Sequence, residues 1–433
     1  MIDIKPRNTS RLLDASQGLV FSVLTRKIVA SNLAATIIST ATEYREYKGV
    51  EFQLTEEQTL IRDSAISMVE RDIQPILDAH PVDQSLPKSA MRQLHEITAR
   101  QGLSAPRIPV SEGGGGMKML DYGLIYEQLP AWFAVSVMAH EVTASRIFAE
   151  ANTEQRERFM PDLFSGRKIA GTATSEPGAG SDPRGLTTRM DIDGDTAIVN
   201  GRKLWITNGS VADIIAVTCI DGVDDKGRNT LKRIVVEPTE SNVEIREIET
   251  VGLQQGHLSE AVFEDCEVPV ENILSSGGDA ARMLTITWNG NRPLVGLAAV
   301  GLTQTAFDMA VAYAGVREQF GKPIAGHQLV QQHLAEIETA IMSSRLLCYY
   351  ALDMMDQGQR ENGAAAMAKL HATKACENAI SLAMLVHGGM GITREAGLER
   401  LWRDVRMLSV PDGIDDILTL IQGREITGIA AFR

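Results

Sequence analysis

The chain has 433 residues, 44% of them hydrophobic, 23% charged and 5% aromatic, with a formal net charge of −14. That length supports one large shared core without disulfides or metals, and the acidic balance excludes a broad nucleic-acid-binding face, which needs clustered basic residues. Cys219, Cys266, Cys348 and Cys376 are scattered without metal-ligand or disulfide spacing, so no metal is expected, and a reducing compartment fits, the cytoplasm or alternatively the mitochondrial matrix.

Residues 1–51 read as an N-terminal extension. The apolar stretch after Gly18 is broken by Arg26 and Lys27, short of the roughly 18 apolar residues a membrane span needs. Arg11, Arg26 and Lys27 give it some transit-peptide character, but Asp3 and Asp14 oppose that, and an extra helix is expected. Over 52–166 the apolar spacing is helical, as in "LTEEQTLIRDSAISMV", where Thr55 is the expected N-cap and Leu60, Ile61, Ala65, Ile66 and Val69 the expected inner face. The run "SEGGGG" (Ser111 to Gly116) has no leading strand and no dinucleotide-binding spacing, and reads as a flexible interhelical turn.

From 167 to 274 short alternating runs take over: "TAIVNGRKLWITNG", "IIAVTCI", "RIVVEP" and "EAVFEDCEVP", with Asn-Gly pairs as turn signals. This is a compact β domain. From 275 to 433 helical periodicity returns in Ala-rich segments such as "AMAKLHATKACENAISLAMLV", suited to long, closely packed helices. The fold class is α+β: helical domain, β domain, helical domain.

Two segments carry candidate chemistry. "TATSEPGAGSD" (Thr172 to Asp182) combines hydroxyls, glycines and a proline where the β domain begins, so its backbone N–H groups and hydroxyls are available to an anionic or heteroaromatic ligand. The same composition also suits a plain domain-crossing turn. "GRKLWITNG" places Trp205 and Thr207 on one face of a strand.

These two segments, with "VFEDCEVPVENIL", "REQFGKPI" and "HGGMGITREAGLERLWRD" in that order, resemble the acyl-CoA dehydrogenase family from about Phe52 to the end of the chain. The resemblance implies an N-terminal helical domain, a middle β-barrel or sandwich and a C-terminal four-helix bundle, with FAD between the last two. By position, Thr174 and Ser175 match residues that bond the isoalloxazine ring, Ser181 the hydroxyl near the pyrophosphate, and Trp205 and Thr207 the residues beside the flavin face and N5. Arg317, Phe320 and Gln328 match residues that reach the FAD of a neighbouring subunit, and Gly388 and Gly389 line its adenine and pyrophosphate region. A homo-oligomer, a tetramer or dimer, is therefore implied, as is electron transfer to an electron-transfer flavoprotein. Leu385 departs from the glutamine common at its position.

The sharpest departure lies in "VPDGIDDI" (Val410 to Ile417). Most members carry a glutamate there that removes the α-proton of a bound acyl thioester; here Asp412 stands in its place. A second group of members places the glutamate at the position of Asn291, and asparagine cannot act as a carboxylate base. The resemblance therefore implies Asp412 as base and flavin N5 as acceptor of the β-hydride. An aspartate is about one C–C bond, ~1.5 Å, shorter in reach, and Pro411 offers a means of shifting the loop to compensate. Nitroalkane oxidases and dehydrogenases of alicyclic acyl-CoAs share an aspartate base, so a flavin oxidase stays open beside the dehydrogenase, as does a non-catalytic flavin-binding member. The resemblance implies as substrate an acyl-CoA or an acyl group on a carrier protein, and His140, Glu141, Trp288, Asn291 and Arg292 are the candidate pocket residues, although a helix-bracing role suits His140 and Glu141 better.

Overall fold

A computed structural model describes residues 53–182, 185–225, 227–274 and 280–431, with side chains from 288 onward in the last stretch. The extension expected over 1–51 lies outside the described residues.

The first helix, α1 (Glu56–Met68), starts at a reciprocal capping box. The Thr55 hydroxyl accepts from the Gln58 N–H at 3.1 Å, and the Gln58 side chain accepts from the Thr55 N–H at 3.1 Å. Of the expected inner face, Ala65 is buried and Ile61 and Val69 pack against the core, but Leu60 is 69% exposed and Ile66 faces outward, while Met68 is buried instead. A π-helical turn at Val69–Ile73 follows directly and shifts the residues beyond it relative to the regular helical repeat. Then come α2 (Gln74–Asp78), α3 (Lys88–Ala99), α4 (Met119–Tyr126), α5 (Ala131–Glu150) and α6 (Thr153–Phe164).

The glycine run is not a flexible turn. Gly115 and Gly116 N–H groups bond the Ala105 and Ile108 carbonyls at 2.9 and 2.8 Å, and a Cβ on Gly114 would lie 2.3 Å from the Ile108 oxygen. The glycines are there because two backbone segments touch.

The β domain is an eight-stranded sheet built from β1 (Ala170–Ala173), β2 (Arg189–Asp193), β3 (Thr196–Thr207), β4 (Ile214–Val223), β5 (Asn229–Val236), β6 (Val243–Glu247), β7 (Leu258–Pro269) and β8 (Ile273–Leu274). Its order is β6-β7-β3-β2-β4-β5-β8, with β1 paired in parallel to β4. Val199, Ile206, Ile215, Val217, Ile234 and Phe263 form its inner core.

The C-terminal domain opens with α7 (Ala280–Val316) and a small hairpin, β9 (Glu318–Gln319) and β10 (Lys322–Pro323). It continues with α8 (Gln328–Asp356), α9 (Asn362–His387), α10 (Leu398–Met407) and α11 (Asp415–Thr427). The segment Trp288–Val316 has a mean hydropathy of 1.5, but Leu294 to Val300 are buried on every face, so it is the central helix of the bundle. Gly296 permits that closeness, since a Cβ there would lie 2.6 Å from the Cys348 Sγ. One apolar core runs from Ile73 and Phe133 through Leu297 and Ala372 to Leu408, fusing the two helical domains.

Candidate active site

Between α10 and α11 the chain turns through Leu408–Ile414, and Asp412 sits at the apex with φ 55, followed by Gly413 at φ 111. A side chain in the left-handed region costs roughly 1–2 kcal/mol, so the surroundings must hold it there. Arg292 Nε donates to the Asp412 carbonyl at 3.0 Å. Lys369, buried on α9, donates from Nζ to the carbonyls of Ser409 at 3.2 Å, Gly413 at 2.6 Å and Pro411. The backbone N–H of Asp412 has no hydrogen-bond partner among the described residues.

The Asp412 residue is half-buried. Burial pushes its carboxyl above the ordinary value, while Lys369, Arg292 and Arg146 and hydrogen bonding from the Asn291 side chain pull the other way. Burial likewise brings the Lys369 ammonium down to about 8, against the charge of Asp412.

A second set of polar groups adjoins the loop. Arg107 Nε lies 2.8 Å from Glu141 Oε1, and its Nη2 donates to Glu141 Oε2 at 3.2 Å and to Asn291 Oδ1 at 2.9 Å. Gly290 makes room, because a Cβ there would meet the guanidinium at 2.7 Å. Glu141 and Asn291 are thus brought together near Asp412. Arg146 is 5% exposed and its Nε has no hydrogen-bond partner among the described residues, and burial, with Arg233 nearby, lowers it to about 9.

His140 is a correction to the expected pocket. It is fully buried, with Nε2 at 3.0 Å from the Leu163 carbonyl and Nδ1 accepting from the Ala170 N–H at 3.1 Å. Both ring nitrogens are spent bracing α5 against α6 and β1. Trp288 is half-buried at the start of the described part of α7, and Asn291 and Arg292 are buried.

The flavin-loop candidates assemble around a buried pair. Lys203, fully buried on β3, donates to Glu176 Oε1 at 2.8 Å and to the Thr174 carbonyl at 3.0 Å. Glu176 also accepts from the Thr187 N–H at 2.7 Å, the Thr187 hydroxyl at 2.6 Å and the Thr188 N–H at 2.9 Å. Burial alone would raise this carboxyl, but those bonds overcome it and hold it at about 2. The Leu204 N–H bonds the Ser175 carbonyl at 2.9 Å, drawing the loop onto β3. A register shift between Lys203 and Ile206 then turns Trp205 outward at φ 63, 58% exposed.

An exposed indole in strained backbone, flanked by the half-buried hydroxyls of Thr174, Ser175 and Thr207, fits a flat heteroaromatic ring. Gly178 and Gly180 face open space and Ser181 is exposed, which leaves this loop's backbone and hydroxyl accessible to phosphate. Arg317, Phe320, Gln328, Gly388 and Gly389 lie elsewhere, all exposed on the helical bundle, with Phe320 95% exposed at φ 52.

Sequence reasoning missed Arg107, Lys203 and Lys369. For Lys369 the available signal was a lysine amid alanines, "AAAMAKLHA", where a charge can be buried only if the fold supplies partners.

The fold, with an exposed indole beside three hydroxyls, fits a flavin-dependent oxidoreductase. Family models for the N-terminal, middle and C-terminal domains of acyl-CoA dehydrogenase match residues 55–167, 171–266 and 281–427. A cyclohex-1-ene-1-carbonyl-CoA dehydrogenase of Geobacter metallireducens is 34% identical over 86% of this chain and 98% of its own. Among solved structures, butyryl-CoA dehydrogenase from Megasphaera elsdenii superposes with a TM-score of 0.79 at 27% identity, covering 87% of this chain and 100% of that one. A glutaryl-CoA dehydrogenase from Mycobacterium smegmatis in complex with FADH2 does so at 0.78 and 25%, covering 88% and 97%. The chain belongs to the acyl-CoA dehydrogenase family: it is an FAD-dependent oxidoreductase acting on acyl-CoA.

Proposed function

We propose that the protein dehydrogenates an acyl-CoA between Cα and Cβ, with Asp412 as the base that takes the α-proton. The observation that carries this is an aspartate held at a strained loop apex by Arg292 and Lys369, beside a neutral Asn291 that cannot substitute for it. Bound FAD supplies the acceptor for the hydride leaving Cβ. Asp412 must be ionised to accept a proton; the surrounding cations favour that form, while burial raises its basicity. Its unpartnered N–H is free to donate to the thioester oxygen as charge develops there.

Thr174, Ser175, Ser181, Trp205 and Thr207 hold the cofactor in one protomer. Arg317, Phe320, Gln328, Gly388 and Gly389 reach the cofactor of a second copy, a reading supported by the apolar exposure of Phe320, Leu329, Leu385 and Ile392 around them. Electrons pass on to an electron-transfer flavoprotein. The first substrates to try are short alicyclic and branched acyl-CoAs, since the Geobacter relative is by its name a cyclohex-1-ene-1-carbonyl-CoA dehydrogenase.

The test is anaerobic reduction of the bound flavin, followed as loss of its visible absorbance. Wild-type protein bleaches with a thioester, and Asp412→Asn retains the flavin but bleaches on the order of 10²–10⁴-fold more slowly. Equal rates overturn the assignment of the base, and bleaching by a nitroalkane in preference to every thioester overturns the substrate class.

A further inference from the structure

The base loop takes its shape from a buried cation. Lys369 projects from α9 with its side chain out of solvent, and its Nζ donates to the carbonyls of Ser409, Pro411 and Gly413. An ammonium has three N–H donors and no acceptor, so every donor is committed, and the acceptors bracket Asp412 on both sides. The carbonyl of Asp412 itself goes to Arg292 instead. Alternate carbonyls drawn to two cations on two helices are what keep a non-glycine residue at φ 55. Among the described residues no carboxylate oxygen bonds Lys369 or lies within ion-pair distance of it, unlike the buried Lys203, which holds Glu176 at 2.8 Å. The cation therefore acts on the loop backbone and leaves the Asp412 carboxylate unbound by it.

We infer that Lys369 is the positioning residue of the catalytic base: its three hydrogen bonds set where Asp412 points, and loss of its proton unlatches the loop. This rests on Asp412 being the base.

The charged groups facing Lys369 are Asp412 in the loop, Asp415 in the first turn of α11 and Arg292 on α7. Burial lowers the ammonium, Asp412 and Asp415 raise it, and Arg292 lowers it, giving titration at about 8. Above that pH a neutral amine keeps two donors for three carbonyls and loses charge assistance. The turnover rate then has two limbs, an acid one where Asp412 is protonated and an alkaline one near pH 8 where Lys369 is not.

The experiment measures the pH dependence of flavin reduction by a saturating acyl-CoA in the FAD-loaded protein and in Lys369→Met and Lys369→Arg. Lys369→Met is expected to keep its flavin and nearly its wild-type KM while kcat falls on the order of 100-fold, the scale of an approximately 1 Å misplacement. Lys369→Arg, charged at every accessible pH, is expected to recover part of kcat and to lose the limb near pH 8. Wild-type rates in Lys369→Met, or an alkaline limb unchanged in Lys369→Arg, overturn the inference. If neither variant folds, the wild-type profile decides, because a reduction rate flat from pH 7 to about pH 9.5 is incompatible with a latch titrating near 8. Asp412→Asn separates the two readings. An inactive Asp412→Asn beside a fully active Lys369→Met leaves the base in place and removes only the positioning role, whereas a fully active Asp412→Asn removes the base itself.

Discussion

The flavin loop (residues 174–182) and the base loop (residues 408–414) are each fastened by one fully buried lysine, yet the two fastenings differ in kind. Lys203 bonds one carbonyl and one carboxylate, and Glu176 returns bonds to Thr187 and Thr188, so the charges cancel within a closed knot. Lys369 bonds carbonyls alone, and the Asp412 carboxylate, the opposing charge that acts on it most, takes no hydrogen bond from it. A loop whose task is to hold a cofactor can neutralise itself. On the proposed assignment of Asp412 as base, its loop cannot, because an ammonium bonded to that carboxylate would depress its basicity.

The largest expected effect breaks the closed knot. Lys203→Met leaves Glu176 buried without its cation, and removing one partner of a buried pair costs about 3–5 kcal/mol. Lys369→Met strands carbonyls rather than a bonded carboxylate, with an expected loss of about 1–3 kcal/mol. Urea unfolding of the two variants side by side measures the difference. Equal losses would mean the two lysines do the same job.

pH separates the loops further: stability rises with pH through both titrations, but in different windows. Glu176 titrates at about 2 in the folded chain against 4.5 as a free side chain, so the stability it contributes is full above pH 4.5 and is lost as pH falls toward 2. Lys369 titrates at about 8 against 10.5. The unfolded chain then binds the extra proton between those values, and stability should rise across pH 8 to 10.5 while activity falls. The wild-type curve minus that of Lys369→Met isolates this contribution. A difference that falls over the same window contradicts it.

Local chemistry made much of this legible in advance. The N-cap at Thr55, the alternating strands and the ordered motifs need only near neighbours, and the loop aspartate could be located by its motif. What stayed hidden depends on contacts across long separations. Lys369 finds its three carbonyls some 40 residues on, and Arg107 bonds Glu141 34 residues on and Asn291 184 residues on. The glycine run looked flexible because composition does not reveal that Ile108 packs against it. His140 looked like a pocket residue because its sequence neighbours suggested one, while its partners, Leu163 and Ala170, belong to other elements. Alternation alone could not give Trp205 its left-handed backbone, which goes with the register shift in β3.

The smallest expected effect concerns a third segment, one that no buried lysine fastens. Phe320 projects from the β9–β10 hairpin, 95% exposed and at φ 52. Within one protomer its ring buries little, so Phe320→Gly should change monomer stability by no more than ~0.5 kcal/mol, the glycine relieving some backbone strain. In an assembly the ring is covered, and mass action makes the unfolding temperature depend on protein concentration. Wild-type protein should unfold at higher temperature as its concentration rises, and Phe320→Gly should flatten that slope while leaving the dilute-limit value in place. If both proteins show the same slope, Phe320 does not reach a second copy, and the completion of the flavin site must then come from within the protomer that carries Trp205.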